Sequence, residues 1–417
     1  QITNSGTATA TGVTVTDIAG ATWSPAGPYT IPAGQTLVIT GKSTPTVAGT
    51  NVNQVTVRSG NVIAASGLAP VEITTTCPST PSPQIPVFNS AAAITINPGD
   101  NAAAIVAANP PGTHFRLVAG VYTNFSVRPK TGNHFLGAGD STILEGTPFG
   151  YAFRAGPLGT SDNVTIGGML IRNYGRGTNR ADYGAIQASE MDTVAGSYSP
   201  YGHANNWFVY DVELQRNSSN GLRMSDNGTA LRVHSWGHTV TGIGGDRNRG
   251  GLLYDCLLEA NGWAGATGSG ENGANAKFTW INADEGSTAV LPAGSVRPKA
   301  PFKVVKCTFN ASKAGVAGAA TIGLWFDLDC KQTLVEGNTF NGHASWAGFW
   351  EGCNDGIGRC NTVNNSPGYG PVSGQNFAGG AFGHGESTNI LIEDNILVDC
   401  GFALMNRLSA RPDWLDP

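Results

Sequence analysis

Charge is the scarcest feature of this sequence. Only 13% of its 417 residues are Asp, Glu, Lys or Arg, against roughly 25% in an ordinary globular chain. The formal net charge is −5, and no basic run occurs. Nucleic-acid binding draws on a concentrated positive field and is disfavoured here. No apolar stretch approaches the ~18 residues of a membrane-spanning helix. No secretory leader is present, so Gln1 reads as the start of a processed form or of a fragment. Helical periodicity is nearly missing. One short amphipathic segment, DNAAAIVAANPPGT over 100–113, is the exception. The 7 cysteines are too few for a disulfide scaffold. No C-x2-C pair occurs, and the histidines lie elsewhere. No metal and no cofactor are expected.

What is present is uncharged polarity. The chain holds 58 glycines and is rich in Asn, Ser and Thr throughout, which suits turn-rich β structure on an extracellular surface. Residues 1–74 alternate apolar and polar positions in GVTVTDIAG, QTLVITGK and NQVTVRSG, the pattern of an antiparallel β-sandwich of Ig-like type. Residues 75–90 then read as a linker. The stretch TTCPSTPSPQIPVF holds four prolines and is stiff and extended.

From 91 to 417 a loose repeat takes over. Its phrase is a short β-prone run, a small or polar residue, an apolar pair and an Asn-rich turn. Instances are NVTIGGMLIRNYG, GLLYDCLLEANG, FKVVKCTFNAS, QTLVEGNTFNGH and NILIEDNILVDCG. Asn338 and Asn361 are 23 residues apart, as are Cys307, Cys330 and Cys353 in turn. That period predicts a parallel β-helix with one coil per repeat. The amphipathic segment at 100–113 is expected to cap its first coil. The fold class expected is all-β.

Two resemblances add to this reading. ITNSGTATATGVTVTD resembles the small DUF11-type Ig-like domains of bacterial surface proteins. Their first strand is cut here to QITN, which implies an incomplete sandwich with an open edge. PPGTHFRLVAGVY, SVRPKTGNHFLGAG and STILEG, with later phrases such as SNGLRM, AKFTW, GLWFDLDC and GFWEGC, resemble right-handed parallel β-helix proteins of the pectin-lyase-like superfamily. The resemblance implies a right-handed β-helix over 91–417. That superfamily includes lyases, hydrolases and epimerases as well as adhesins and phage spikes, so fold does not choose the activity.

Residues one coil apart lie about 4.8 Å from one another. Asp327 and Glu351 are therefore expected as neighbours on one face, close enough for acid/base chemistry. Either carboxylate spacing used by glycosidases is available to them. In the family pattern a Lys in a GGTKF-like phrase precedes the acids; the matching phrase here is ANAKFTW, which implies a role for Lys277. Trp325, Trp346 and Trp350 stand beside the acids as candidate sugar platforms, although inward-facing core aromatics look the same in sequence. Cys330 and Cys353 also fall one coil apart, within disulfide reach, and are expected to be bonded. Cys256 and Cys307 would stack as thiols if 263–300 is a side excursion. His234 and His238, at even spacing on one strand, read as surface or hydrogen-bonded groups. Arg223 and Asp226 form a further possible polar cluster.

Two functions of different class fit. One is a secreted or cell-surface structural or adhesive protein of a bacterium, a subunit that joins copies of itself end to end by strand addition at the N-terminal domain. The alternative is a carbohydrate-active enzyme, a polysaccharide lyase or glycoside hydrolase. Asp327 and Glu351 would then act as acid and base or nucleophile, with Lys277 assisting.

Overall fold

Two compact units divide the chain, residues 1–78 and 79–417. The computed structural model describes the strands between residues 2 and 69. Beyond them it describes 80–147, 149–157, 159–176, 184–188, 204–246, 248–262, 274–282, 299–314, 316, 322–366, 369–372, 375–378, 380–401 and 403–407.

In the first unit, the Val/Thr-rich alternation becomes antiparallel strands, because period-2 patterning lets one face pack. Tyr29–Ile31, Ala10–Asp17, Asn53–Ser59 and Val62–Ala69 form one four-stranded sheet in that order. Val13, Tyr29 and Ile31 are buried. Ile2–Thr3 pairs with Thr36–Leu37 over two residues only.

The second unit is a parallel β-helix. One face is a nine-stranded parallel sheet made in order by Phe153–Arg154, Gly184–Gln187, Asn220–Arg223, Ile243–Asp246, Ala274–Thr279, Ile322–Asp327, Trp346–Glu351, Gly380–Gly385 and Leu404–Arg407. Most of the other strands stack coil on coil along two further faces, while Phe149–Gly150 with Gly175–Arg176 and Tyr369–Val372 with Gln375–Ala378 form separate antiparallel pairs. The faces are joined by long bent strands such as Phe208–Gln215, whose first half pairs with Gly228–Leu231 and whose second half pairs with His234–Trp236. Between those two faces the chain turns through one left-handed residue per coil. Asp211, Arg232, Asp255 and Lys306 occupy that corner at φ 49°, 50°, 55° and 54°. Such a backbone is unfavourable for a residue with a Cβ. At each level the corner N–H donates to the next coil, as Arg232 N–H does to Tyr254 O and Asp255 N–H to Val305 O, both at 3.0 Å.

The core runs as ladders of like residues, since in-register parallel strands place equivalent side chains one above another. Phe309 stacks on Phe340 at 4.8 Å, and Phe278, Phe326 and Trp350 form a continuous column. The 23-residue spacing has a physical basis in a buried asparagine ladder. Asn338 N–H and Nδ2 donate to Asn361 Oδ1 at 2.9 and 3.0 Å, and Asn361 repeats both bonds to Asn395 Oδ1 at 2.9 Å. Cys307 N–H donates into the same ladder, to Asn338 Oδ1 at 2.8 Å. Cys307 thus stacks on Asn338 and not on Cys330, although both steps are regular in sequence.

The helix of the second unit, Ala102–Ala108, is shorter than the segment 100–113. Asn101 Oδ1 accepts Ala104 N–H at its start, and Ala102 and Val106 are buried in the core. Residues 263–300 are not a side excursion as a whole. Ala274–Thr279 within them is a strand of the nine-stranded sheet. Cys256 and Cys307 nevertheless stack, because the strands on either side of each are paired in register.

Cys330 and Cys353 are stacked free thiols, not a disulfide. The reason lies in the ladder. Parallel in-register strands bring Cα atoms to about 4.8 Å but keep the Cβ vectors parallel, whereas a disulfide needs the Cβ atoms at roughly 3.5–4.5 Å. Each thiol bonds to backbone instead: Cys353 Sγ to Phe326 O at 3.3 Å and Cys330 Sγ to Phe278 O at 3.4 Å. Burial, and then the neighbouring Cys330 thiol, push the Cys353 thiol well above its ordinary range. Among the described cysteines, Cys360 is the one in a disulfide.

Candidate functional site

Alternation along a strand sends successive side chains to opposite faces. In Ile322–Asp327, Leu324 and Phe326 point into the coil and join the main core, while Trp325 and Asp327 point outward. In Trp346–Glu351, Trp350 points inward and Phe349 and Glu351 outward. The register pairs Trp325 with Phe349 and Asp327 with Glu351 directly, with no offset. One coil earlier, Lys277 pairs with Trp325 and Thr279 with Asp327. The three candidate catalytic side chains therefore meet on one outward face.

Their geometry is specific. Lys277 Nζ lies 3.0 Å from Asp327 Oδ2 and 3.5 Å from the centre of the Trp325 ring. It thus makes an ion pair and a cation–π contact at once. Asp327 Oδ1 and Trp325 Nε1 are both buried, and neither has a hydrogen-bond partner among the described residues. Most buried polar groups in proteins are paired. Here an orphan acceptor and an orphan donor stand two residues apart on the same face of one strand.

The aromatic residues are placed differently from one another. Trp350 is fully buried in the main core, where its Nε1 donates to Thr333 Oγ1 at 3.0 Å, so it is no sugar platform. Its inward position follows from the strand alternation that turns Phe349 and Glu351 out. Trp325 and Trp346 do face outward but are each 3% exposed. With Phe349, Ile322 and Ala274 they form a second small apolar cluster outside the coil, in which the Trp346 and Phe349 rings stack at 5.0 Å and 8°. Gly383 permits this packing, since a Cβ there would lie 2.2 Å from the Trp346 ring. The aromatic side chains pack on one another and do not form an open platform. Asp327 and Glu351 are also buried, while Lys277 keeps 26% of its side chain exposed. Solvent reaches the cluster along Lys277.

The same outward face carries residues that sequence reading did not place together. Arg154, Gln187, Arg223, Gly244 and Lys277 stand in one row, each paired in register with the next. Asp246 stands beside Thr279, whose hydroxyl donates to Asp246 Oδ1 at 2.9 Å. The only signal was one polar residue per phrase, in YGAIQ, GLRM and GIGGD, and it needs the register to be legible. Arg223 lies in this row, and Asp226 Oδ1 accepts Arg249 N–H at 3.0 Å.

The histidines separate as well. His234 is outward between Glu213 and Glu259, with its Nε2 2.8 Å from Glu259 Oε2. His238 is fully buried past the end of the strand. Its Nδ1 accepts Asn217 N–H at 3.0 Å, and burial lowers its pKa to about 3. They do not share a face, because the strand ends at Trp236. Among the described residues no group of three or more His, Cys, Asp or Glu is poised to hold a metal. No described helix is long and apolar enough to cross a membrane.

No protein-family model matches the chain. No curated protein sequence matches it either. Several solved structures are similar to it. The A-module of Azotobacter vinelandii mannuronan C-5 epimerase AlgE4 is 11% identical, with 74% of this chain and 92% of that chain covered and a TM-score of 0.42. An alginate lyase from Paenibacillus sp. str. FPU-7 is 12% identical, with 76% and 98% covered and a TM-score of 0.35. The catalytic domain of a GH87 alpha-1,3-glucanase is 12% identical, with 72% and 62% covered and a TM-score of 0.30. These likenesses are consistent with the parallel β-helix described above, and at this identity and TM-score they carry no argument about activity.

Proposed function

We propose that the chain is a carbohydrate-active β-helix protein, a polysaccharide lyase or glycoside hydrolase, with its site on the outer face of the nine-stranded sheet. The observation that carries this reading is the orphan pair, Trp325 Nε1 and Asp327 Oδ1, beside Glu351 and Lys277. A sugar hydroxyl both donates and accepts, which is the chemistry that the two orphans lack. Asp327 and Glu351 supply the paired carboxylates that proton transfer at a glycosidic bond requires. Lys277 holds Asp327 Oδ2, and Oδ1 is the carboxylate oxygen with no hydrogen-bond partner among the described residues. Recognition in this reading rests on hydrogen bonding more than on open aromatic stacking.

The same reading puts the protein outside a bacterial cell. Its support is low charge, uncharged polarity and the disulfide at Cys360, a bond that persists in oxidising compartments. The filament reading stands behind this one, since no geometry described here favours it. The test is a screen of the full chain against acidic and neutral polysaccharides, followed by Glu351→Gln and Asp327→Asn on any responsive substrate. Cleavage by both variants at the parental rate would remove the assignment.

A further inference from the structure

Residues 80–90, read from sequence as a linker, lie along the second unit. Thr80 N–H and Oγ1 both donate to Glu336 Oε1, at 3.1 and 3.0 Å. At the other end, Asn89 N–H donates to His114 Nδ1 at 2.9 Å, and Ser90 O accepts from Arg116 Nη2 at 3.3 Å. The Phe88 ring lies 5.3 Å from the His114 ring and 5.0 Å from the His134 ring. His134 in turn bonds the Val87 backbone and sits 3.3 Å from the Tyr210 hydroxyl.

These anchors are far apart. From Glu336 the register steps through Val305, Tyr254, Leu231, Tyr210 and Gly167 to Leu136, two residues beyond His134. Six coil spacings make about 29 Å. Eight residues in polyproline II conformation span about 25 Å, so Thr80–Phe88 must run nearly straight. The prolines enforce this, and Thr80, Pro83 and Pro86 are half-buried at the three-residue period of that helix. Along the same path Tyr210, Leu231, Tyr254 and Val305 form an outward apolar stripe that is buried, flanked by Leu136, Phe208 and Leu252.

We propose that residues 80–90 are a pH-released strap, docked along the apolar stripe at neutral pH and lifted from its histidine end on acidification. The strap carries no titratable side chain of its own. Facing it are His114, His134, Tyr210 and Arg116 at one end, Lys306 on Tyr254 midway, and Glu336 paired with Arg359 at the other. Protonation of His114 at Nδ1 removes the acceptor of Asn89 N–H. Protonation of both histidines sets two cations in rings 5.2 Å apart. Burial, and then the charge of His114, lower the His134 pKa from 6.5 to about 4. The docked form therefore binds fewer protons than the open form below pH 6.5, and docking weakens as pH falls from there toward 4. Burial pushes the Glu336 carboxyl up, but hydrogen bonds from Arg359 and Thr80 outweigh burial and keep it low.

Amide hydrogen exchange of the full chain tests this, read on the segment 85–92 at pH 8 and pH 5 after correction for intrinsic rates. If opening restores His134 to its ordinary value, the opening constant rises about 30-fold between the two. Strands Ile322–Asp327 and Trp346–Glu351 should keep their protection. The double variant His114→Gln, His134→Gln should show the same exchange at both pH values, and Phe88→Ala should exchange faster at both. Unchanged exchange of 85–92 in the parent overturns the proposal. So does a pH response retained in the His114→Gln, His134→Gln double variant, or one shared by the core strands.

Discussion

Two outward faces of the same β-helix are buried, and they are buried in different ways. Under the strap, aliphatic and tyrosine side chains form the stripe. Their polar atoms are engaged: Tyr210 by His134, and Tyr254 by Lys306 at 2.9 Å. On the nine-stranded sheet, Trp325, Trp346 and Phe349 pack beside an ion pair, and Trp325 Nε1 and Asp327 Oδ1 are left without partners among the described residues. Each face even seats an aromatic over a glycine, Tyr210 over Gly167 and Trp346 over Gly383. Aromatic packing alone therefore does not separate structure from function. The two faces differ instead in how their buried polar atoms are satisfied, and an unpaired one costs about 1–3 kcal/mol.

The largest expected effect sharpens this contrast. Glu351→Gln should lower cleavage of a responsive polysaccharide by about 10²–10⁴-fold. On the strap face, Leu231→Ala should cost about 2–5 kcal/mol in urea unfolding, because Leu231 is 1% exposed in the stripe. A cost below that of an exposed leucine would break the view that the strap seals this face. A matched pair of smaller changes compares the polar atoms directly. Tyr210→Phe should cost about 1 kcal/mol, since it leaves a His134 hydrogen bond unmade. Trp325→Phe should weaken binding of a responsive oligosaccharide because it removes the orphan donor, and it should cost about 1 kcal/mol of stability through the weaker cation–π contact with Lys277.

Acid should act on the whole β-helix more gradually. Burial lowers both His238 and His343 to about 3. Unfolding restores their ordinary affinity for protons, so stability is fully present above pH 6.5 and declines as pH falls toward 3. Urea midpoints at pH 7.5, 5.5 and 4.5 measure this, and a midpoint that rises with acid would contradict the burial of these rings. The smallest effect concerns the stacked thiols. Reducing agent should not change the unfolding of the chain through Cys330 and Cys353. A Cys330→Ala, Cys353→Ala double variant should keep whatever sensitivity to reductant the parent shows.

The repeat, the all-β class and the adjacency of Asp327 and Glu351 were legible in the sequence. Stacked coils print their period on the chain, as in Asn338 and Asn361, whose side chains must meet to satisfy one another. The cysteines show where that logic fails. Equal 23-residue steps put Cys307 on the asparagine ladder and Cys330 on another corner, because successive repeats need not begin at the same corner. Stacking also brings Cα atoms close without making Cβ vectors converge, so proximity along the period did not mean a bond. Trp350 and Trp325 likewise differ by facing and not by composition.

By itself, then, the sequence determined the coil period, the scarcity of charge and which residues recur one coil apart. Those follow from local patterning and from the strand spacing. Only the tertiary structure decided which side chains turn outward, which of those are satisfied, and that the proline-rich stretch lies on the helix it precedes. These depend on register between strands far apart in the chain, and on whether each buried polar atom finds a partner there.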